Sequence, residues 1–111
     1  MPGVELLWWS GCPSTEAMAA DVEAALRALG RTDVQLLRRE VADEAQAERE
    51  RFVGSPTVRV DGHELFPPGP AEPAGLTCRV YRLRDGRFSP TPDEADLRDA
   101  LRRALAARSP T

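Results

Sequence analysis

The chain has no lysine: all 15 of its basic residues are arginine. Together with abundant alanine, that usage is associated with high-GC bacterial genomes. Its single histidine, His63, excludes a multi-histidine metal centre. No apolar run approaches the roughly 20 residues of a membrane-spanning helix. Nor does a basic, then apolar, then small-residue leader open the chain. A cytoplasmic protein with no membrane partner is therefore expected. The formal net charge is only -3, and Arg38, Arg39, Arg49 and Arg51 are interleaved with acids, as on a solvated face. That argues against nucleic acid as a partner, because such domains present a basic surface. Cysteine is scarce, with Cys12 and Cys78 alone. A reducing cytosol keeps both as thiols, so a bond between them would be transient rather than structural. There is no internal repeat, low-complexity tract or linker.

What is present suits a soluble α/β domain. A chain of 111 residues, 41% hydrophobic and 30% charged, fills one domain spanning 1–111. A monomer with a frayed tail at 108–111 is expected. The run Val4-Glu5-Leu6-Leu7-Trp8-Trp9 reads as a strand buried on both faces. From Ser14 to Leu29, the residues Met18, Val22, Ala25, Leu26 and Leu29 share one helical face, and Gly30 is placed to end that helix. Val34 to Val41 reads as an edge strand, and Asp43 to Phe52 as a more exposed helix. Thr57 to Val60 alternates as a strand, and Asp61-Gly62 is a hairpin turn returning into His63 to Phe66. Pro67 to Gly75 is a proline-rich loop, Leu76 to Leu83 is extended, and Asp85-Gly86 turns. Thr91-Pro92-Asp93-Glu94 has the form of a capping box, with Pro92 at the first helical position. Leu97, Leu101, Ala104 and Leu105 form the stripe of a last helix. The order βαβαββα implies a four-stranded mixed sheet with helices on both faces.

Two local motifs carry a resemblance. Ser10-Gly11-Cys12-Pro13-Ser14-Thr15 stands at the first strand-to-helix junction, and Gly54-Ser55-Pro56-Thr57 opens the third strand. In this order and at these places the chain resembles the thioredoxin-like superfamily over nearly its whole length. The resemblance implies that Pro56 is cis and lies beside the Cys12 thiol. It also implies that the Ser55 N–H and C=O are left free to pair with an extended substrate, by strand addition. Thr15 stands where dithiol relatives carry a second cysteine, so any redox cycle needs another thiol.

The residues themselves make Cys12 a candidate nucleophile. A helix N-terminus stabilises a thiolate. Gly11 suits a sharp turn out of the strand. Pro13 suits the first helical turn, which needs no N–H from it. The Thr15 hydroxyl is placed to donate to the thiolate. The alternative is a small buried cysteine, since free cysteine is commonly buried. Under the resemblance, chain direction brings the fourth strand back towards Cys12, and the loop after it leads to Cys78. Cys78 is then either a resolving thiol or a packed strand residue. His63 falls at the far end of the sheet. Trp8 and Trp9 point to opposite faces as core residues, and Tyr81 packs near the groove. No glutathione motif is found, and no cofactor is implied.

Three functions follow. The first is a thiol-dependent oxidoreductase acting on a thiol or disulfide substrate, protein or small molecule. Cys12 would be its nucleophile, Cys78 its resolver and Thr15 its helper, with Gly11, Pro13, Ser55 and Pro56 against the substrate. The second is a module holding a soft metal (Cu(I), Zn or Hg(II)) or an organometal between Cys12 and Cys78. The third is an adaptor without chemistry.

Overall fold

The structure is a computed structural model that describes residues 3–69 and 71–107. The expected frayed tail at 108–111 lies outside the described residues. The elements are β1 (Val4–Trp8), α1 (Thr15–Ala28), β2 (Leu36–Glu40), α2 (Glu44–Glu50), β3 (Thr57–Val60), β4 (His63–Glu64), β5 (Tyr81–Arg82), β6 (Phe88–Ser89) and α3 (Glu94–Ala107). A four-stranded mixed sheet has the order β2-β1-β3-β4. β2 runs parallel to β1, β3 antiparallel to β1, and β4 antiparallel to β3.

Alternation along β1 sorts two cores. Val4 and Leu6 pack with Met18, Val22 and Leu26 of α1 and with Leu97, Leu101 and Leu105 of α3. Leu7 points the other way and packs with Val41, Ala47 of α2 and Phe52. Helices therefore cover both faces of the sheet. Gly30, at φ 69, ends α1 as expected: the Arg31 N–H reaches back to the Leu26 carbonyl. α2 ends before Phe52 by the same device. Arg51 takes the left-handed conformation at φ 55, and the Phe52 N–H returns to the Ala47 carbonyl. This throws Phe52 into the core, fully buried.

Two expectations are corrected. Asp93, not Thr91, caps α3: its carboxylate accepts the Asp96 N–H at 3.0 Å, so Pro92 precedes the helix. A carboxylate three residues before that N–H is the better acceptor. The stretch after Leu76 is not one extended run. Tyr81–Arg82 pairs with Phe88–Ser89 across the Asp85-Gly86 turn, forming a separate two-stranded sheet. Strands of two residues are too short to show alternation.

On the α2 side an ionic network joins the sheet to its connections. Arg59, buried on β3, donates to Glu64 at 2.9 Å and to the Glu50 carbonyl at 2.7 Å. Arg79 donates to the other Glu64 oxygen at 3.0 Å. Removing a carboxylate that serves two largely buried guanidiniums strands both charges. Glu64→Ala is expected to lower stability by about 3 kcal/mol, read from a urea midpoint that falls with an unchanged slope.

Candidate functional site

Antiparallel pairing of Leu7 with Thr57 puts the end of β1 beside the start of β3. A turn closed by the Cys12 N–H on the Trp9 carbonyl, at 3.0 Å, delivers Cys12 to that junction. Gly11 is required here for space rather than for its backbone angle: a Cβ would sit 2.4 Å from the Trp9 ring. Pro13 is exposed and precedes Ser14, the N-cap of α1, so it lies outside the first helical turn.

Cys12 is buried, and its protonated thiol donates to the Ser55 carbonyl at 3.3 Å. Burial raises the Cys12 pKa. The Ser14 backbone N–H, the Cys78 thiol and the Ser55 and Ser14 hydroxyls act against burial and outweigh it, so the thiol ends below its ordinary value. Thr15 does not serve as the helper. Its Oγ1 is buried with no hydrogen-bond partner among the described residues, and Ser14 takes the role. The helix begins one residue later than the reading that favoured Thr15.

Cys78, although 66 positions away in sequence, is brought to Cys12. It forms an isolated parallel bridge with Ser55. The Ser55 N–H donates to the Thr77 carbonyl at 2.8 Å, and the Arg79 N–H donates to the Ser55 carbonyl at 2.7 Å. The expected free pairing edge at Ser55 is therefore filled by the chain itself, because buried backbone groups must find partners. The Cys78 thiol is exposed and within hydrogen-bonding reach of Cys12. That hydrogen bond raises the Cys78 pKa, with desolvation and the Cys12 charge adding to it. Cys12 is thus shifted towards the thiolate and Cys78 towards the thiol.

The Ser55-Pro56 peptide is cis. The Pro56 carbonyl accepts the Tyr81 hydroxyl, and burial pushes the phenol pKa upwards. Gly54, at φ 144, lies so close to Arg79 that a Cβ would meet its backbone at 3.1 Å. Trp8 is not a core residue. With Cys12, Pro13, Glu16, Arg38 and Glu40 it lines an open cleft of about 460 Å³. Trp9 covers Gly11 and packs against the α2-side core. The proline-rich loop borders a different cleft, of about 670 Å³, with Cys78, Arg79 and Tyr81. His63 is exposed at the far end of the sheet.

Ser14 and Arg79 escaped the sequence reading. Ser14 follows a proline at a helix start, which is a usable signal. Arg79 carries none beyond its place next to Cys78. Among the described residues no three His, Cys, Asp or Glu side chains converge to hold a metal ion. No family model, curated protein or solved structure matches the chain.

Alkylation followed by mass spectrometry at each cysteine should give a Cys12 midpoint below the free-thiol value of about 8.5 and a Cys78 midpoint above it. Thiolate reactivity at Cys12 therefore rises and levels off at lower pH than that of an ordinary cysteine. Ser14→Ala and Cys78→Ala should each move the Cys12 midpoint upwards. A Cys12 midpoint at or above that of free cysteine would contradict the hydrogen-bonding assignment.

Proposed function

We propose that this protein is a thiol–disulfide oxidoreductase of thioredoxin-like fold, with Cys12 as nucleophile and Cys78 as resolving thiol. One observation carries the reading: both thiols meet at Ser55, Cys12 by donating to its carbonyl at 3.3 Å and Cys78 by bridging its backbone, and their pKa values are displaced in opposite directions. The lowered thiol attacks first, and the raised one waits as a thiol until a mixed disulfide exists. Support for the fold comes from the strand order β2-β1-β3-β4, the cysteine between β1 and α1, and the cis Pro56 before β3.

The chemistry runs in two exchanges. The Cys12 thiolate attacks one sulfur of a disulfide RS–SR, forming Cys12–S–S–R and releasing RS⁻. Cys78 then loses its proton and attacks the Cys12 sulfur. The Cys12–Cys78 bond forms and the second RS⁻ leaves. Two protein thiols are oxidised and one disulfide is reduced to two thiols. An external thiol or dithiol restores the starting state.

Cys12→Ser should bring disulfide reduction down to the uncatalysed background. Cys78→Ser should accumulate the mixed disulfide at Cys12, detected as a mass adduct that wild type resolves. Equal turnover by wild type and Cys12→Ser would reject the reading.

Two facing thiols also suit a soft cation. On this second reading, Cu(I) titrated into the reduced chain gives one ion per protein in native mass spectra, and the stoichiometry is lost in either Cys→Ser variant. Retention of the ion by Cys78→Ser would reject a shared site.

A further inference from the structure

The pairing edge beside Cys12 is occupied by residues 77–79 of the same chain. Its two backbone hydrogen bonds to Ser55, at 2.8 and 2.7 Å, are the ones an incoming extended polypeptide would need. Arg79 fastens this occupant. Its guanidinium donates to Glu64 at 3.0 Å, to Thr57 Oγ1 at 3.3 Å and to the Phe66 carbonyl, and it lies 4.8 Å from the Tyr81 ring centroid. The absence of a Cβ at Gly54 lets the Arg79 backbone sit that close. On the other side of Cys12, the cleft of about 460 Å³ bounded by Trp8 and Pro13 remains open.

We propose that residues 77–79 are a built-in occupant of the polypeptide-binding edge, latched by Arg79, and that they restrict Cys12 to small disulfides. The inference rests on the oxidoreductase reading and names its substrate class. A polypeptide disulfide has to displace the segment, breaking both backbone bonds and the Arg79 contacts. A small disulfide displaces nothing, and it meets Cys78 already in place for the resolving exchange. Arg79 is thus a positioning residue. It touches no substrate and acts through the backbone it holds.

The test uses the reduced full chain with two probes, hydroxyethyl disulfide and insulin. The rate at which the free Cys12 thiol is lost, whether as mixed disulfide or as the Cys12–Cys78 disulfide that follows it, is measured by acid quench and mass spectrometry. Each rate is divided by that of free cysteine with the same probe. The readout is the insulin-to-hydroxyethyl ratio, in which any change of the Cys12 pKa cancels. In wild type the ratio should be below about 0.1, the effect of at least one charge-assisted hydrogen bond that must break. Arg79→Ala should raise it about tenfold, and Arg79→Lys, which keeps the charge but not the fork, should fall between. Amide exchange separates unlatching from unfolding. In Arg79→Ala the Ser55 N–H should lose protection while the β1 and β3 amides keep theirs. A wild-type ratio near one, or an unchanged ratio in Arg79→Ala with Ser55 unprotected, overturns the proposal alone. If Arg79→Ala fails to fold, the wild-type ratio and Arg79→Lys decide. A Cys12 that reacts with neither probe overturns the oxidoreductase reading as well.

Discussion

Ser55 is fully buried, and every polar group it carries is used. Its N–H goes to Thr77, and its carbonyl receives both Arg79 and the Cys12 thiol. Its hydroxyl accepts the Trp9 N–H at 3.1 Å. A buried backbone group without a partner is strongly disfavoured. That constraint draws three stretches distant in sequence to one residue: the end of β1, the turn carrying Cys12, and the segment carrying Cys78. The sheet sets where Ser55 lies, and Ser55 sets where the thiols lie.

The same arrangement separates the roles of two chemically identical side chains. Cys12 is buried, yet it is met by an N–H, by hydroxyls and by a second thiol, so hydrogen bonding overcomes desolvation. Cys78 is exposed, and its proton is held by its neighbour. Burial alone would rank them the other way. Polar contacts to the charged form, rather than access to water, decide which sulfur ionises first.

Local signals were legible where a residue type answers a local requirement. Gly30 ends α1 because it takes the left-handed position just past the helix, and Asp61-Gly62 turns because the Val60–His63 pairing closes across it. The adjacency of Cys12 and Ser55-Pro56 was legible only through the resemblance that their two motifs carry, and the antiparallel β1–β3 pairing produces it. Contacts made once, across a long separation, left no periodic trace. The Ser55–Cys78 bridge is a single pair, and the β5–β6 hairpin has two residues in each strand. The choice of Ser14 over Thr15, and of Asp93 over Thr91, depended on a helix start shifted by one or two residues. At α3 that is the scale on which neighbouring side chains compete for the same orphan N–H groups, whereas at α1 the Ser14 hydroxyl caps nothing and meets Cys12 instead.

The proline-rich loop is pinned at both ends. Before it, the Phe66 carbonyl is held by Arg79. After it, the Gly75 N–H binds the Phe52 carbonyl at 2.9 Å, and the Leu76 N–H binds Glu44 at 3.3 Å. Anchors on both sides uncouple what lies between them from what lies beyond. Loop-closure entropy grows only slowly with length, so residues added or removed between the pins reshape the rim of the cleft while the sulfur of Cys78 stays in register. The rim and the pair of thiols are thus separate modules, and the loop can change in length or composition without moving either sulfur.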